Sequence, residues 1–282
     1  MKLKFTKMQG IGNDFVIVEE SDLKELKISH PELAVKVCDR RLGIGADGLI
    51  INVANAKETD FEWDFYNSDG SVAEMCGNGI RCFAKYLKEN GFTDKDEFTV
   101  KTLAGVKTPK LNEDGTVTVN MGNPVFEPKQ VPVVAQTTPV LGQKIQAKDK
   151  EFVFSAVSMG NPHCLIFVDD NAKELALEYG KDIEFSSIFP NKTNVEFIKV
   201  LSKNEINIDV WERGCGITQA CGTGACASVV AAILNNFTDN EVAANLPGGQ
   251  LKIRWDGSLS DLGQDVFMSG PAEFVFFGEL LL

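Results

Sequence analysis

The feature that most constrains this chain is an internal repeat. Cys76-Gly77-Asn78-Gly79 and Cys221-Gly222-Thr223-Gly224 share the pattern Cys-Gly-x-Gly, with 221 − 76 = 145. Each follows a strand-like run (Phe61–Tyr66 and Asn207–Trp211) and opens a helix-like one (Ile80–Glu89 and Thr223–Asn235). A second match lies at nearly the same separation. Gly12-Asn13-Asp14-Phe15 precedes Val16-Ile17-Val18, and Gly160-Asn161-Pro162-His163 precedes Leu165-Ile166-Phe167-Val168, with 161 − 13 = 148. Asn67 and Glu212, each nine residues before its cysteine, stand at the ends of the matched strands. Ordered matches in matched contexts point to duplication of one αβ unit rather than to two unrelated glycine turns.

Two medium domains suit 282 residues, since a domain commonly takes about 100–200. Strand-like runs dominate: Leu3–Met8, Phe15–Glu19, Leu49–Ala54, Glu97–Thr102, Thr116–Asn120, Phe152–Ser158, Cys164–Val168, Val195–Val200, Leu251–Arg254 and Ala272–Phe277 join the two above. One further helix is predicted over Pro31–Arg41, with Ser29 upstream and Pro31 in its first turn. The pattern predicts a strand-rich α+β fold. From Met121 to Gln146, four prolines and few charges read as the crossing between the halves.

Several classes of function are excluded. No run reaches the roughly 18 apolar residues of a membrane span, and the start alternates charged with apolar residues instead of building a signal core, so a cytosolic protein is expected. A net charge of −12 without a basic stripe argues against nucleic acid and for a small-molecule ligand. Seven cysteines, an odd number in a chain with no secretory signal, read as thiols and not as a disulfide framework. The spacings Cys76-x5-Cys82 and Cys215-x5-Cys221-x4-Cys226 lack the paired Cys-x2–4-Cys of structural zinc, so no metal is expected. Gly43-Ile44-Gly45-Ala46-Asp47-Gly48 matches a dinucleotide-binding pattern but sits between a helix and a following strand, the reverse of the required context.

Glycine beside cysteine lets a ligand approach the backbone, and the first N–H groups of the following helix have no intrahelical partner, which makes an anion site. The same field favours a thiolate, whose pKa of about 8.5 falls to roughly 3.5–7.5 at such positions. Were duplicated units to bring Cys76 and Cys221 to one cleft, one thiol could take a proton from a carbon while the other returned one to the opposite face. That is racemisation or epimerisation. No pyridoxal-phosphate lysine motif stands out, and no cofactor is expected. Other readings remain open on the residues alone: a thiol redox protein, an amino-acid-binding module, or cysteines that merely fill the core, as expected of Cys38, Cys82, Cys164 and Cys226. His30, beside Pro31, reads as a surface residue. Position places His163 at a strand mouth, with either a structural or a functional role, and Glu212-Arg213 reads equally as a solvated surface pair.

At these residues the chain resembles the diaminopimelate epimerases, pyridoxal-independent enzymes of lysine and cell-wall precursor synthesis. The resemblance rests on Gly10-Ile11-Gly12-Asn13-Asp14-Phe15, Asn67-Ser68-Asp69-Gly70, Met75 to Cys82, Gly160 to His163, Asn194-Val195-Glu196-Phe197, Glu212-Arg213-Gly214 and Ala220 to Ala225. It implies Cys76 and Cys221 as the two acid/base residues, assisted by His163 and Glu212, in the epimerisation of LL- to meso-diaminopimelate. It further implies that Gly77, Asn78, Gly222 and Thr223 hold the reacting carboxylate, while Asn13, Asn67, Asn161, Asn194, Glu212 and Arg213 contact the substrate. The implied fold is two similar, pseudo-symmetric domains, each a curved, mainly antiparallel sheet around a central helix. Residues 1–120 with 271–282 would form one domain and 121–270 the other, the last strand, Pro271–Glu279, returning to the first. A homodimer is implied as well. Gly48 stands where some members have glutamine, Cys215 where many have another residue. The rival within this class is a related racemase of proline, hydroxyproline or histidine.

Overall fold

The computed structural model describes residues 2–24, 26–54 and 56–282. The chain divides into two compact units, Met1–Val119 with Gly270–Leu282, and Asn120–Ser269. In the first, β1 (Lys2–Gly10), β2 (Asn13–Glu19), β3 (Gly48–Val53), β4 (Phe61–Asn67), β5 (Val100–Thr102) and β6 (Gly105–Lys107) lie in sequence order. The last strand of the chain, β18 (Glu273–Leu281), adds to the outer edge of β1. Its helices are α1 (Glu20–Leu23), α2 (His30–Cys38) and α3 (Gly77–Glu89). The short β7 (Lys110–Leu111) pairs with the start of β8 (Val117–Gly122), the strand in which the chain leaves this unit.

The second unit holds β9 (Val140–Ala147), β10 (Lys150–Ser158), β11 (Pro162–Phe167), β12 (Asn194–Ser202), β13 (Glu205–Glu212), β14 (Gly216–Ile217), β15 (Glu241–Leu246), β16 (Gly249–Trp255) and β17 (Val266–Gly270). Its helices are α4 (Ala172–Glu184) and α5 (Gly222–Leu234). Strands β1 to β6 alternate antiparallel, parallel, antiparallel, parallel, antiparallel, and β10, β11, β12, β13, β15 and β16 repeat that alternation. The outer strand matches too, since β9 lies antiparallel to β10 as β18 does to β1. Register makes the repeat residue-specific. Phe15 pairs with Gly48 where His163 pairs with Asn194, and Ile50 pairs with Phe65 where Glu196 pairs with Val210. The α+β expectation of two similar units is met.

Each unit places one helix centrally and one outside. α3 packs on β1 and β2, and α5 on β10 to β13, β15 and β16, whereas α2 covers β3 and β4 as α4 covers β12 and β13. α5 is buried from Gly224 to Leu234. Burying a valine, leucine or isoleucine contributes about 1.5–3 kcal/mol, against at most ~0.7 kcal/mol of intrinsic helix propensity for an ordinary residue, so burial of Val229, Val230, Ile233 and Leu234 outweighs propensity in seating this alanine-rich helix.

Some boundaries differ from expectation for identifiable reasons. α2 stops at Cys38, short of Arg41, because Asp39 Oδ1 accepts from the N–H groups of Arg41 and Leu42, while Ile44 and Gly45 donate to the Val37 carbonyl. Its start is as read, with the Glu32 carboxylate reaching back to the Ser29 N–H and hydroxyl. The stretch Met121–Gln146 is not a crossing: it belongs to the second unit, where Val131, Val133, Val140 and Ile145 join the core. α4, which the sequence reading did not predict, buries Ala172, Ala176, Tyr179, Gly180 and Ile183, so small residues share its core face with two large ones. Gly180 is small for a reason, since a Cβ there would stand 2.6 Å from the Trp211 ring.

Candidate active site

Cys76 and Cys221 are the N-cap residues of α3 and α5, both with extended backbone. In each, the sulfur accepts from the backbone N–H three residues on, Gly79 or Gly224, at 3.4 Å. The thiols thus occupy the place of a capping side-chain oxygen, and the helix dipole points at both. Beside each cap lie other candidate residues of the same unit.

In the first unit, Asn13 Oδ1 is 3.5 Å from Cys76 Sγ and accepts from Asn78 Nδ2 at 3.2 Å. Its Nδ2 donates to Asp47 Oδ2 at 2.7 Å, which fixes the orientation of the amide. Beneath it lies an ion network: Asp14 meets buried Lys7 at 2.6 Å and Arg40 at 2.7 Å, and Arg40 also meets Asp47. Burial pushes the Asp14 carboxyl up, but hydrogen bonds from Arg40 and Lys7 outweigh it and leave it at about 2. Gly77 and Asn78 are buried at the α3 start. Asn67 is exposed at the last position of β4 and donates to Ser71 Oγ.

In the second unit, His163 is wholly buried, with Nδ1 2.7 Å from Glu196 Oε1 and Nε2 2.9 Å from Asn161 Oδ1. Asn194, also buried, donates to the Pro162 carbonyl and accepts from the Arg213 N–H, so it pins β11 to the end of β13. The Arg213 side chain is exposed, with Nη1 near the Asn191 carbonyl. Glu212 is no solvated surface carboxylate. Burial raises its pKa, and it accepts from Thr218 Oγ1 and the Cys221 thiol. Gly222 and Thr223 are half-buried at the α5 start, with Thr223 Oγ1 3.5 Å from Cys221 Sγ.

The expected low thiol pKa fails at Cys221. Burial first, then the Glu212 and Glu196 carboxylates, push it well above the ordinary range, and the opposing hydrogen bonds from Thr223 and Gly224 do not compensate. The environment of Cys221 thus favours the protonated thiol. Cys38, Cys82, Cys164 and Cys226 are buried in the core, and Cys215 is exposed. His30, at the start of α2, sits 3.5 Å from Asp64 Oδ2, far from a core role.

The diaminopimelate epimerase family model matches residues 5–127 and 155–275. A diaminopimelate epimerase of Desulfitobacterium hafniense is 47% identical over 99% of this chain and 98% of its own length. One from Halothermothrix orenii is also 47% identical, over 100% and 99%. The chain belongs to the diaminopimelate epimerase family. At the level of fold alone, it is similar to a Bacillus anthracis PhzF-family phenazine biosynthesis protein, with TM-score 0.70 at 16% identity over 100% of both chains. An Agrobacterium vitis hydroxyproline epimerase gives TM-score 0.66 at 13% identity, over 100% of this chain and 93% of that one.

Within this epimerase family the question about Gly48 has a steric side. A Cβ at Gly48 would lie 2.6 Å from the Phe65 ring and 2.9 Å from the Tyr66 carbonyl, so this member's β3 has no room for a side chain there. Gly48 occupies the register position that Asn194 holds in the second unit. The sequence reading missed Asp47, which orients Asn13, and Glu196, which holds His163. Both stand inside motifs already noted, but their partners are distant in sequence.

Proposed function

We propose that this protein interconverts LL- and meso-diaminopimelate with Cys76 and Cys221 as the two acid/base residues and without a cofactor or metal. The observation that carries this reading is the pair of equivalent cysteine N-caps, within a chain whose family is established over nearly its full length. The α-carboxylate binds the N–H groups at the starts of α3 and α5, through Gly77, Asn78, Gly222 and Thr223. As the α-proton leaves, charge grows on that carboxylate, and preorganised donors stabilise it. Removing one such donor typically costs about 2.7–4 kcal/mol.

The Cys76 thiolate removes the α-proton and the Cys221 thiol delivers its own to the opposite face, so one proton leaves the carbon and one arrives. Turnover leaves Cys76 protonated and Cys221 as thiolate. His163 and Glu212 assist the proton exchange that restores the starting forms, with Glu212 hydrogen-bonded to the Cys221 thiol. Asn13, Asn67, Asn161, Asn194 and Arg213 serve the rest of the substrate. Asn194 spends its oxygen and one N–H on backbone, which leaves one N–H for a ligand. A homodimer in the cytosol completes the reading, and sedimentation velocity tests the first part.

The test is to incubate reduced protein with LL-diaminopimelate and resolve stereoisomers by chiral chromatography, with proline and hydroxyproline as comparison substrates. Cys76→Ser and Cys221→Ser should each lose on the order of 10²–10⁴ in rate. Full activity in either folded variant removes the two-base assignment. Activity should survive EDTA and hydroxylamine.

A further inference from the structure

The repeat permits a comparison that a single domain would not. His163 and Glu196 are twins of Phe15 and Ile50 by strand register. Ile50 and Glu196 occupy the same place against the central helix: a Cβ on Gly79 would meet Ile50 Cδ1 and Phe15 Cε1, both at 3.5 Å, and one on Gly224 would meet Glu196 Oε1 at 2.6 Å. Where one unit packs an apolar pair, the other buries an imidazole and a carboxylate, each fully excluded from solvent. Glu196 Oε2 has no hydrogen-bond partner among the described residues. A buried imidazole–carboxylate pair with an unmet acceptor is often no better for stability than well-packed apolar residues, and the first unit shows that the architecture accepts those.

We propose that Glu196 is a positioning residue that fixes the ring orientation and Nδ1–H of His163, and that the pair is retained for proton transfer and not for the fold. This rests on the role given to His163 under Proposed function. Nδ1 donates to Glu196 Oε1, so Nε2, which faces Asn161 Oδ1, is the atom that gives and takes the mobile proton. With Nδ1 held by the carboxylate, the ring presents Nε2 as its one exchangeable position. Gly224 is the accommodation for this arrangement, since any side chain there would displace the carboxylate.

The chain has two histidines, so ¹⁵N spectra of the imidazoles contain two sets of signals, and His30→Asn assigns them. Glu196→Gln should shift the His163 Nδ1 resonance, leave His30 unmoved, and lower kcat by about ten- to a hundredfold with KM within about twofold. Transplanting the first unit's pair, as His163→Phe with Glu196→Ile, should give a folded protein whose denaturation midpoint is at or above wild type. Its turnover should fall no further than that of His163→Phe alone. An unchanged His163 spectrum in Glu196→Gln overturns the positioning role. A transplanted variant that does not fold, or melts well below wild type, shows that the pair serves the fold and overturns the proposal. Full turnover by His163→Phe would instead strike the proton-transfer reading, and leave the spectrum to decide orientation. Should Glu196→Gln not fold, Glu196→Asp withdraws the carboxylate while keeping its charge, and the same two readouts decide.

Discussion

At matched strand positions the two units place charge differently. In the first, Lys7 and Asp14 form the heart of an ion network under Asn13, while Phe15 and Ile50 pack against the central helix. In the second, register puts Ala156 opposite Cys164 where Lys7 faces Val16, and Pro162 takes the place of Asp14, while charge moves inward to His163 and Glu196. The thiols differ accordingly. Cys76 sits half-buried beside the Asn13 amide, and Cys221 is buried beside two carboxylates. One backbone plan therefore carries two electrostatic settings, and the capping geometry, common to both, is independent of them.

The largest effect expected from breaking this contrast is Asp14→Asn, which removes the carboxylate from Lys7, a side chain only 6% exposed. Stability should fall by about 3–5 kcal/mol, read by urea denaturation at pH 7, because an uncompensated charge is left buried. Asp14 is depressed to about 2, so its contribution is present above the unfolded value of about 3.9 and lost as pH falls through the folded one. The gap between variant and wild type should narrow across that window. A loss under ~1 kcal/mol would show the network to be ornamental to the first unit.

Gly48→Gln sharpens the comparison with Asn194. Overpacking against Phe65 should cost about 1–3 kcal/mol. Combined with Phe65→Leu, the loss should be smaller than the sum of the two single losses. Strict additivity would shift the cause to the Tyr66 carbonyl.

Smaller effects should come from the thiols. Burial pushes Cys38 and Cys82 up to about 12, and Cys164 and Cys221 well above their ordinary range. Their contribution to stability is complete below the unfolded pKa of about 8.5 and is lost as pH rises toward the folded values, so the denaturation midpoint should decline above that pH. Glu212→Gln removes one charge that holds Cys221 protonated, and alkylation of Cys221 by iodoacetamide at pH 8 should quicken relative to Cys164. An unaltered ratio would mean that burial alone sets the Cys221 thiol.

Much of the site was legible because its signals are local. A Cys-Gly-x-Gly at a helix start says where the thiol must lie, since the N-cap position and the unpaired N–H groups are properties of one turn of chain. Less was legible where small residues carry the packing. On α4 the small Ala172, Ala176 and Gly180 share the buried face with Tyr179 and Ile183 and dilute its apolar pattern, and the prolines before β9 mask a strand whose buried positions, Val140 and Ile145, sit among polar neighbours.

By itself, the sequence determined the duplication, the α+β class and the two helix-capping cysteines, each readable from spacing or local apolar pattern. Only tertiary structure decided the electrostatics around them. Glu196 lies 33 residues from His163, and Asp47 lies 34 from Asn13, separations at which no periodicity links two side chains. Strand register alone makes them neighbours, and burial then sets their charge. The same cap motif therefore predicts a lowered thiol pKa in isolation, yet at Cys221 desolvation and two carboxylates reverse the sign.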